Sequence, residues 1–465
     1  MAKTPHSERA LKGALKTRQV TMISIAGIIG AGLFIASGKA IATAGPAVLV
    51  SYLIVGLIVF SVMRMLGEMA IFQPDTGSFS TYADSAFGKW AGFTIGWLYW
   101  WFWVLIIPVE AIAGGSIINN YLPELPVWLA ALLILAVLTG TNLFSVKGFG
   151  EFEFWFALIK VVAIIAFLIL GTVAVLGWLP LPEQGGFSRL TANGGFMPHG
   201  FSAIIGAMLL VVGSFFGAEI VTIAAAESRH PERQITTATN LVVWRIAIFY
   251  IFSMLLVTAI VNWNDPRLTS EGTFQTALEM LQVPNARVIV DIIVLVAVTS
   301  CLNSAIYTAS RMLYSLSQRG DAPASTARLS SSGVPRRAVL GSSIVGLIAC
   351  LCNFVFPDEV FNVLLATTGA MALLVYVVIA ASQIRLRYRR EARGETPALK
   401  MWCFPYLSYL TMAVLVVILG YMMWSPDFRI QAVMTALVAI IVVIAGLLNG
   451  RRKAKGQTHS TMQEG

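Results

Sequence analysis

An α-helix needs about 20 predominantly apolar residues to cross the hydrocarbon core of a bilayer, and this sequence strings together about a dozen such runs. A first series reads near 20–41, 46–71, 90–118, 127–143 and 154–178. A second reads near 200–226, 238–261, 288–316, 338–356 and 360–384, and two more lie near 401–424 and 430–448. In lipid the backbone must satisfy its own hydrogen bonds, and helices do so within a single segment. The expected fold class is therefore an all-α integral membrane protein of about twelve transmembrane helices. Composition points the same way. Charged residues are 12% of the 465 and hydrophobic residues 57%, with mean hydropathy +0.78; a soluble domain carries about 25% charge. A soluble enzyme, a disordered chain and a disulfide-stapled secreted domain are all excluded. The basic flank before Val20 resembles the start of a signal peptide, but with so many apolar runs behind it the reading is an uncleaved first span.

The formal charge of +9 raises the question of nucleic acid, and the positions of the cations answer it. Lys and Arg collect on the cytoplasmic side of membrane proteins. With the N-terminus inside, outer segments hold only Lys39, Arg189, Arg267, Arg287 and Arg429. Inner segments hold nearly all the rest, including the run from Arg385 to Arg393 and the cluster Arg451, Arg452, Lys453 and Lys455. The expected topology has both termini in the cytoplasm, and the charge is a topology signal with no need of a nucleic-acid partner. Cys301, Cys350, Cys352 and Cys403 form no CxxC pair, and His6, His199, His230 and His459 are scattered, so no metal site is expected.

Two spans are interrupted by glycine. Span 1 carries Ala26-Gly27-Ile28-Ile29-Gly30-Ala31-Gly32, and span 6 carries Gly213-Ser214-Phe215-Phe216-Gly217-Ala218-Glu219. Glycine weakens a helix by about 1 kcal/mol relative to alanine. Small residues also serve close helix–helix packing, and for either segment alone the two readings stand level. The pair is more telling, because each break opens a set of five spans. Five is odd, so the second set starts on the opposite face. Matching interruptions in two such halves point to the substrate site of a transporter built on an inverted repeat. The expected domains are a tail 1–19, a first repeat 20–178, a second repeat 200–384, two further spans within 401–448 and a tail 449–465. Unwinding exposes N–H groups at the positive end of a half-helix. Gly30, Ala31 and Gly32 are placed to hold a carboxylate, while carbonyls near Ile28 and from Ser214 through Phe215 to Phe216 face an ammonium. A small zwitterion such as an amino acid fits that polarity.

Ionisable groups inside spans default to functional candidates. Lys160 lies two turns inside span 5, either snorkelling to the headgroups or desolvated and able to exchange protons. Glu219 follows the break in span 6 and is a candidate for proton sensing or for stabilising the break. Glu227, at the inner end of that span, reads as a cap or gate. Glu110 follows Pro108 in span 3 and either meets a substrate ammonium or pairs with another helix. Arg64 and Glu68, four apart on one face, read as a structural pair. Ser300, Ser304 and Thr308 form a polar stripe on span 8, either bonded back to their own helix or lining the cavity opposite span 1. No nucleotide-binding loop, serine-hydrolase elbow or zinc-protease motif is present, so the chain is not expected to be an enzyme and needs no cofactor. A ring of charge or a filter-like repeat, which would suggest a channel, is also missing from the sequence.

These segments carry a resemblance. Ser24 through Phe34 resembles the unwound helix of the amino acid–polyamine–organocation superfamily, and Pro74-Asp75-Thr76-Gly77-Ser78 through Ala83 resembles its loop between spans 2 and 3. Gly150-Glu151-Phe152-Glu153-Phe154-Trp155 leading to Lys160 is similar to the bacterial amino acid transporter family within it. Gly96 through Trp103, and Thr299 through Tyr314, resemble the branch of that family that carries 4-aminobutyrate (GABA). The resemblance implies a five-plus-five inverted repeat of the leucine-transporter type with two peripheral helices. It also implies proton-driven import, by alternating access, of GABA or a related ω-amino acid across a bacterial inner membrane. It places the substrate carboxylate at Gly30–Gly32 and the amine near the span-6 carbonyls. Lys160 then sits among spans 1, 5 and 8, and Cys301 lies near the transport path. Gly213 departs from the pattern, which usually has an aromatic gate there. A proton-coupled α-amino acid permease is the nearest alternative, and a receptor that binds an amino acid without moving it is the alternative of another class.

Overall fold

A computed structural model describes residues 16–26, 29–30, 32–179, 185–228, 230–356, 360, 364, 368, 370–396 and 398–463. The chain is all-α. Among the described residues ten stretches of helix are long and apolar enough to cross a membrane, one of them joining the second half of span 1 to span 2 over Gly32–Phe72. Among the described residues, spans 1 and 6 are each interrupted. Span 1 is helical over Thr17–Ala26 and resumes as a π-turn at Gly32–Ala36 and an α-helix at Ser37–Ala44. Span 6 is helical over Gly200–Gly213, turns through residues 214–219, and resumes over Ile220–Ala226. Both interruptions fall within the glycine-bearing segments.

The other spans are Val48–Phe72, Lys89–Tyr121, Val127–Phe144 and Val146–Val175 in the first half. In the second half span 7 runs over Pro231–Arg245, passes through a π segment and continues over Ser253–Ile260. Spans 8 to 12 follow as Ala286–Gln318, Arg336–Val355, Met371–Glu391, Tyr406–Trp424 and Pro426–Gln463. Spans 3 and 8 make the most extensive contact in the molecule. Spans 11 and 12 bury little of themselves, with Val417, Ile440 and Ile441 all more than half exposed, as lipid-facing residues are.

Three features differ from expectation. Span 10 is helical from Met371 to Glu391, beyond its expected end at 384, because Arg387 is anchored inside by Glu68 at 3.2 Å. Span 12 continues as helix through Gln463, into the segment expected to be a tail. The segment after Pro74 is not merely a loop. Asp75 accepts the Gly77 N–H at 2.6 Å and also bonds Thr81, and the chain then forms a helix over Ser78–Phe87. Ser78 bonds Thr222 on the second half of span 6 at 2.9 Å, and Arg319, just past span 8, donates to Ser80. This short helix braces the second half of span 6 from the side.

A second brace lies at the other end. Thr273 donates to the Phe34 carbonyl at 3.0 Å and exchanges a hydrogen bond with Ser37 at 2.8 Å. Both contacts tie the second half of span 1 to the helix Thr273–Met280 in the connection between spans 7 and 8. In that same connection the Arg267 guanidinium grips Asp265 at 2.7 and 3.1 Å, which holds the Asp265 carboxyl below its usual range.

Candidate substrate and coupling site

The two breaks meet. Ser214 donates its hydroxyl to the Gly32 carbonyl at 3.0 Å, and a Cβ on Gly32 would lie 3.0 Å from the Ser214 Cα. Only glycine allows that approach without a shift. Across the break, Gly30 faces Cys301, whose Cβ and Sγ would both lie 3.9 Å from an added Cβ. The unwound backbone of span 1 is thus held between Ser214 of span 6 and Cys301 of span 8. Glu110 lies against the Cys301 thiol, and its Oε2 is buried with no hydrogen-bond partner among the described residues. Ile28 and Ala31 lie outside the described residues.

In span 6 the turn depends on Gly217, whose φ of +99° is one that side chains rarely adopt. The Ser214 carbonyl accepts the Tyr250 hydroxyl at 3.0 Å. Phe215 is turned away into the bundle, stacked on Tyr250 at 4.5 Å, so it can contribute only backbone here. Phe216 meets Phe102 edge-on at 5.7 Å and faces Tyr376 at 6.1 Å. Gly213 opens onto free space, since an added Cβ would meet nothing within 4 Å.

Lys160 is fully buried, and its ammonium does not snorkel. Nζ donates to the Ile29 carbonyl at 3.1 Å and to the Ser300 hydroxyl at 2.9 Å. The first contact matters most, because it joins a charge on span 5 to the unwound strand of span 1. Ser300 in turn donates to Glu153, whose other carboxylate oxygen accepts from Asn303 at 3.2 Å. Asn303 is held by Asn142 of span 4 at 2.8 Å. The stripe on span 8 therefore divides: Ser300 belongs to this network, whereas the Ser304 and Thr308 hydroxyls are buried with no partner among the described residues.

Glu219 accepts one tyrosine hydroxyl on each oxygen, Tyr99 of span 3 at 3.0 Å and Tyr376 of span 10 at 3.1 Å. Arg245, buried in span 7, faces the same carboxylate. Glu227 forms a buried ion pair with Arg311 at 2.9 Å, and Arg311 lies over the Tyr307 ring at 4.3 Å. That pair joins the C-terminal end of span 6 to span 8.

Arg64 and Glu68 are not paired with each other. Arg64 donates to the Lys400 carbonyl at 2.6 Å and lies over Trp402. Glu68 accepts from the Met401 N–H at 2.7 Å and from Gln383, and it pairs with Arg387. Each side chain finds a better-placed partner on the connection to span 11 or on span 10 than on its own helix. Both remain far in role from the breaks: they fasten peripheral spans to span 2.

Sequence reasoning missed Glu153, Arg311, Tyr99, Tyr376 and the placement of Arg245. For Glu153 a signal was present. It lies seven residues before Lys160, two helical turns along one face, in a span where charge is scarce.

A helical bundle with two unwound half-spans facing each other at a buried lysine defines a membrane transporter for small solutes. The chain belongs to the amino acid permease family, whose model matches residues 19–458. It is 56% identical over 447 residues to a probable GABA permease of Pseudomonas aeruginosa, covering 96% of this chain and 94% of that protein. It is 53% identical over 439 residues to the gamma-aminobutyric acid permease of Escherichia coli, covering 94% of each. It is 38% identical over 453 residues to the aromatic amino acid transport protein AroP of Corynebacterium glutamicum, covering 97% and 98%. The protein is an amino acid transporter, a multi-pass membrane protein and not an enzyme.

Proposed function

We propose that the protein imports GABA or a related ω-amino acid together with protons, by alternating access across a bacterial inner membrane with both termini cytoplasmic. The observation that carries the coupling is the Lys160 ammonium on the Ile29 carbonyl. With its proton, Lys160 ties the inner half of span 1 to span 8 through Ser300. Without it, the charge that strengthens those contacts is lost, and span 1 is held less firmly. The substrate carboxylate sits at the backbone of Gly30 and Gly32, and its ammonium faces Ser214, Phe216 and the Glu110 carboxylate beside Cys301. Glu219 is the second candidate to sense protons, since it holds span 6 to spans 3 and 10 through two tyrosines.

The similarity to permeases named for GABA supports that substrate over an α-amino acid. The test is uptake of labelled GABA into proteoliposomes with excess unlabelled competitors at two external pH values. Unlabelled GABA should abolish the signal, while proline and phenylalanine leave most of it. Gly213→Phe should narrow the set of ω-amino acids that compete, because it fills the open space beside Ser214. Stronger competition by phenylalanine or proline than by GABA would assign the site to α-amino acids.

A further inference from the structure

Resting on the reading of Lys160 as the coupling group, we propose that Glu153 is its positioning residue, a counter-charge acting through the Ser300 hydroxyl. Glu153 and Lys160 are the two charges of one helix face, both with no exposed surface. A carboxylate in such a place is costly unless paired and fully bonded. Here each oxygen accepts a hydrogen bond: Ser300 donates to Oε1 and Asn303 to Oε2. Asn303 is aligned by Asn142, so three spans (4, 5 and 8) fix one carboxylate. Ser300 is polarised in one direction only. Its oxygen accepts from Lys160 Nζ at 2.9 Å, so its proton is committed to Glu153.

The consequence concerns which part of the network is fixed and which part is free to switch. Glu153 is locked to spans 4, 5 and 8, whereas Lys160 reaches the unwound strand of span 1 at Ile29. The fixed negative charge favours the ammonium form of Lys160 and directs it between Ser300 and Ile29. Other groups facing Lys160 are Glu110 from span 3 and Cys301 from span 8. Glu110 has an unpartnered oxygen among the described residues and is beside the substrate position, so its influence changes with occupancy. Glu153 supplies the part that does not change. Removing its charge while keeping its shape should make Lys160 harder to load with a proton.

The experiment compares the full-length protein with Glu153→Gln and Ser300→Ala in proteoliposomes, using labelled GABA. Two readouts are taken: exchange with no proton gradient, and gradient-driven uptake as a function of external pH. Glu153→Gln is expected to keep exchange within about twofold of the parent, and to move the pH profile of driven uptake about one unit toward acid. Ser300→Ala, which breaks the relay without removing a charge, should move it the same way by less. Superimposable pH profiles in both variants would overturn the proposal. So would an equal loss of exchange and driven uptake with the profile unmoved, which is the mark of a merely structural role. A parent protein whose uptake ignores the proton gradient would overturn the coupling reading itself, and the proposal with it.

Discussion

Lys160→Met should abolish proton-driven accumulation while leaving substrate exchange largely intact. One proton moving down a one-unit pH gradient supplies about 1.4 kcal/mol, which for a one-to-one coupling is about tenfold accumulation. A methionine fills much of the same volume but carries neither the charge nor the hydrogen bonds to Ile29 and Ser300. Accumulation in the variant should therefore fall to about the equilibrium level, a loss of about tenfold under that gradient. Exchange of labelled for unlabelled substrate needs the breaks at Gly30–Gly32 and Ser214 but no net proton movement, and should persist. Accumulation by the variant at the parent's level would remove Lys160 from the coupling path.

Arg311→Met should destabilise the protein more than any change at the exposed ion pairs. Arg311 and Glu227 are paired at 2.9 Å with 2% and no side-chain exposure. Deleting the cation leaves Glu227 buried without its partner, at a cost of about 3–5 kcal/mol. The exposed pair Arg18–Glu151, at 2.7 Å, is worth at most about 1 kcal/mol by contrast. Thermal unfolding in detergent should show the drop for Arg311→Met and little change for Arg18→Met. The double variant with Glu227→Gln should recover much of the loss, because the uncompensated charge is gone. Additive losses in the double variant would show that the two side chains act separately, and that span 6 is not fastened to span 8 through them.

The spans were legible because lipid imposes a length and a composition on each of them, and the two breaks because glycine clusters stand out inside apolar runs. The depth of Lys160 and Glu219 was legible for the same reason, that charge is rare there; Glu227 read as interfacial and is fully buried. Their partners were not. Tyr99 and Tyr376 reach Glu219 from spans 3 and 10, and nothing in the linear pattern links those spans to span 6. Arg311 counted as one of many inner cations, and only packing shows it buried. The pair of Arg64 and Glu68 shows the opposite failure. Spacing on one helix predicts proximity, but it cannot weigh the Lys400 carbonyl or Arg387, which compete from distant parts of the chain and win. The helix at Ser78–Phe87 was hidden because Pro74 and Gly77 dominate the local signal, while the Asp75 side chain that bonds the start of this helix acts from just before it.

The central claim is that substrate and protons move together. The direct measurement is labelled GABA accumulation in proteoliposomes given an inward proton gradient of one unit, with and without a protonophore. The account predicts that internal GABA rises about tenfold above the external concentration for one proton per substrate, and that the protonophore collapses it to equality. Equal internal and external GABA under both conditions, in a preparation that still exchanges substrate, would contradict it.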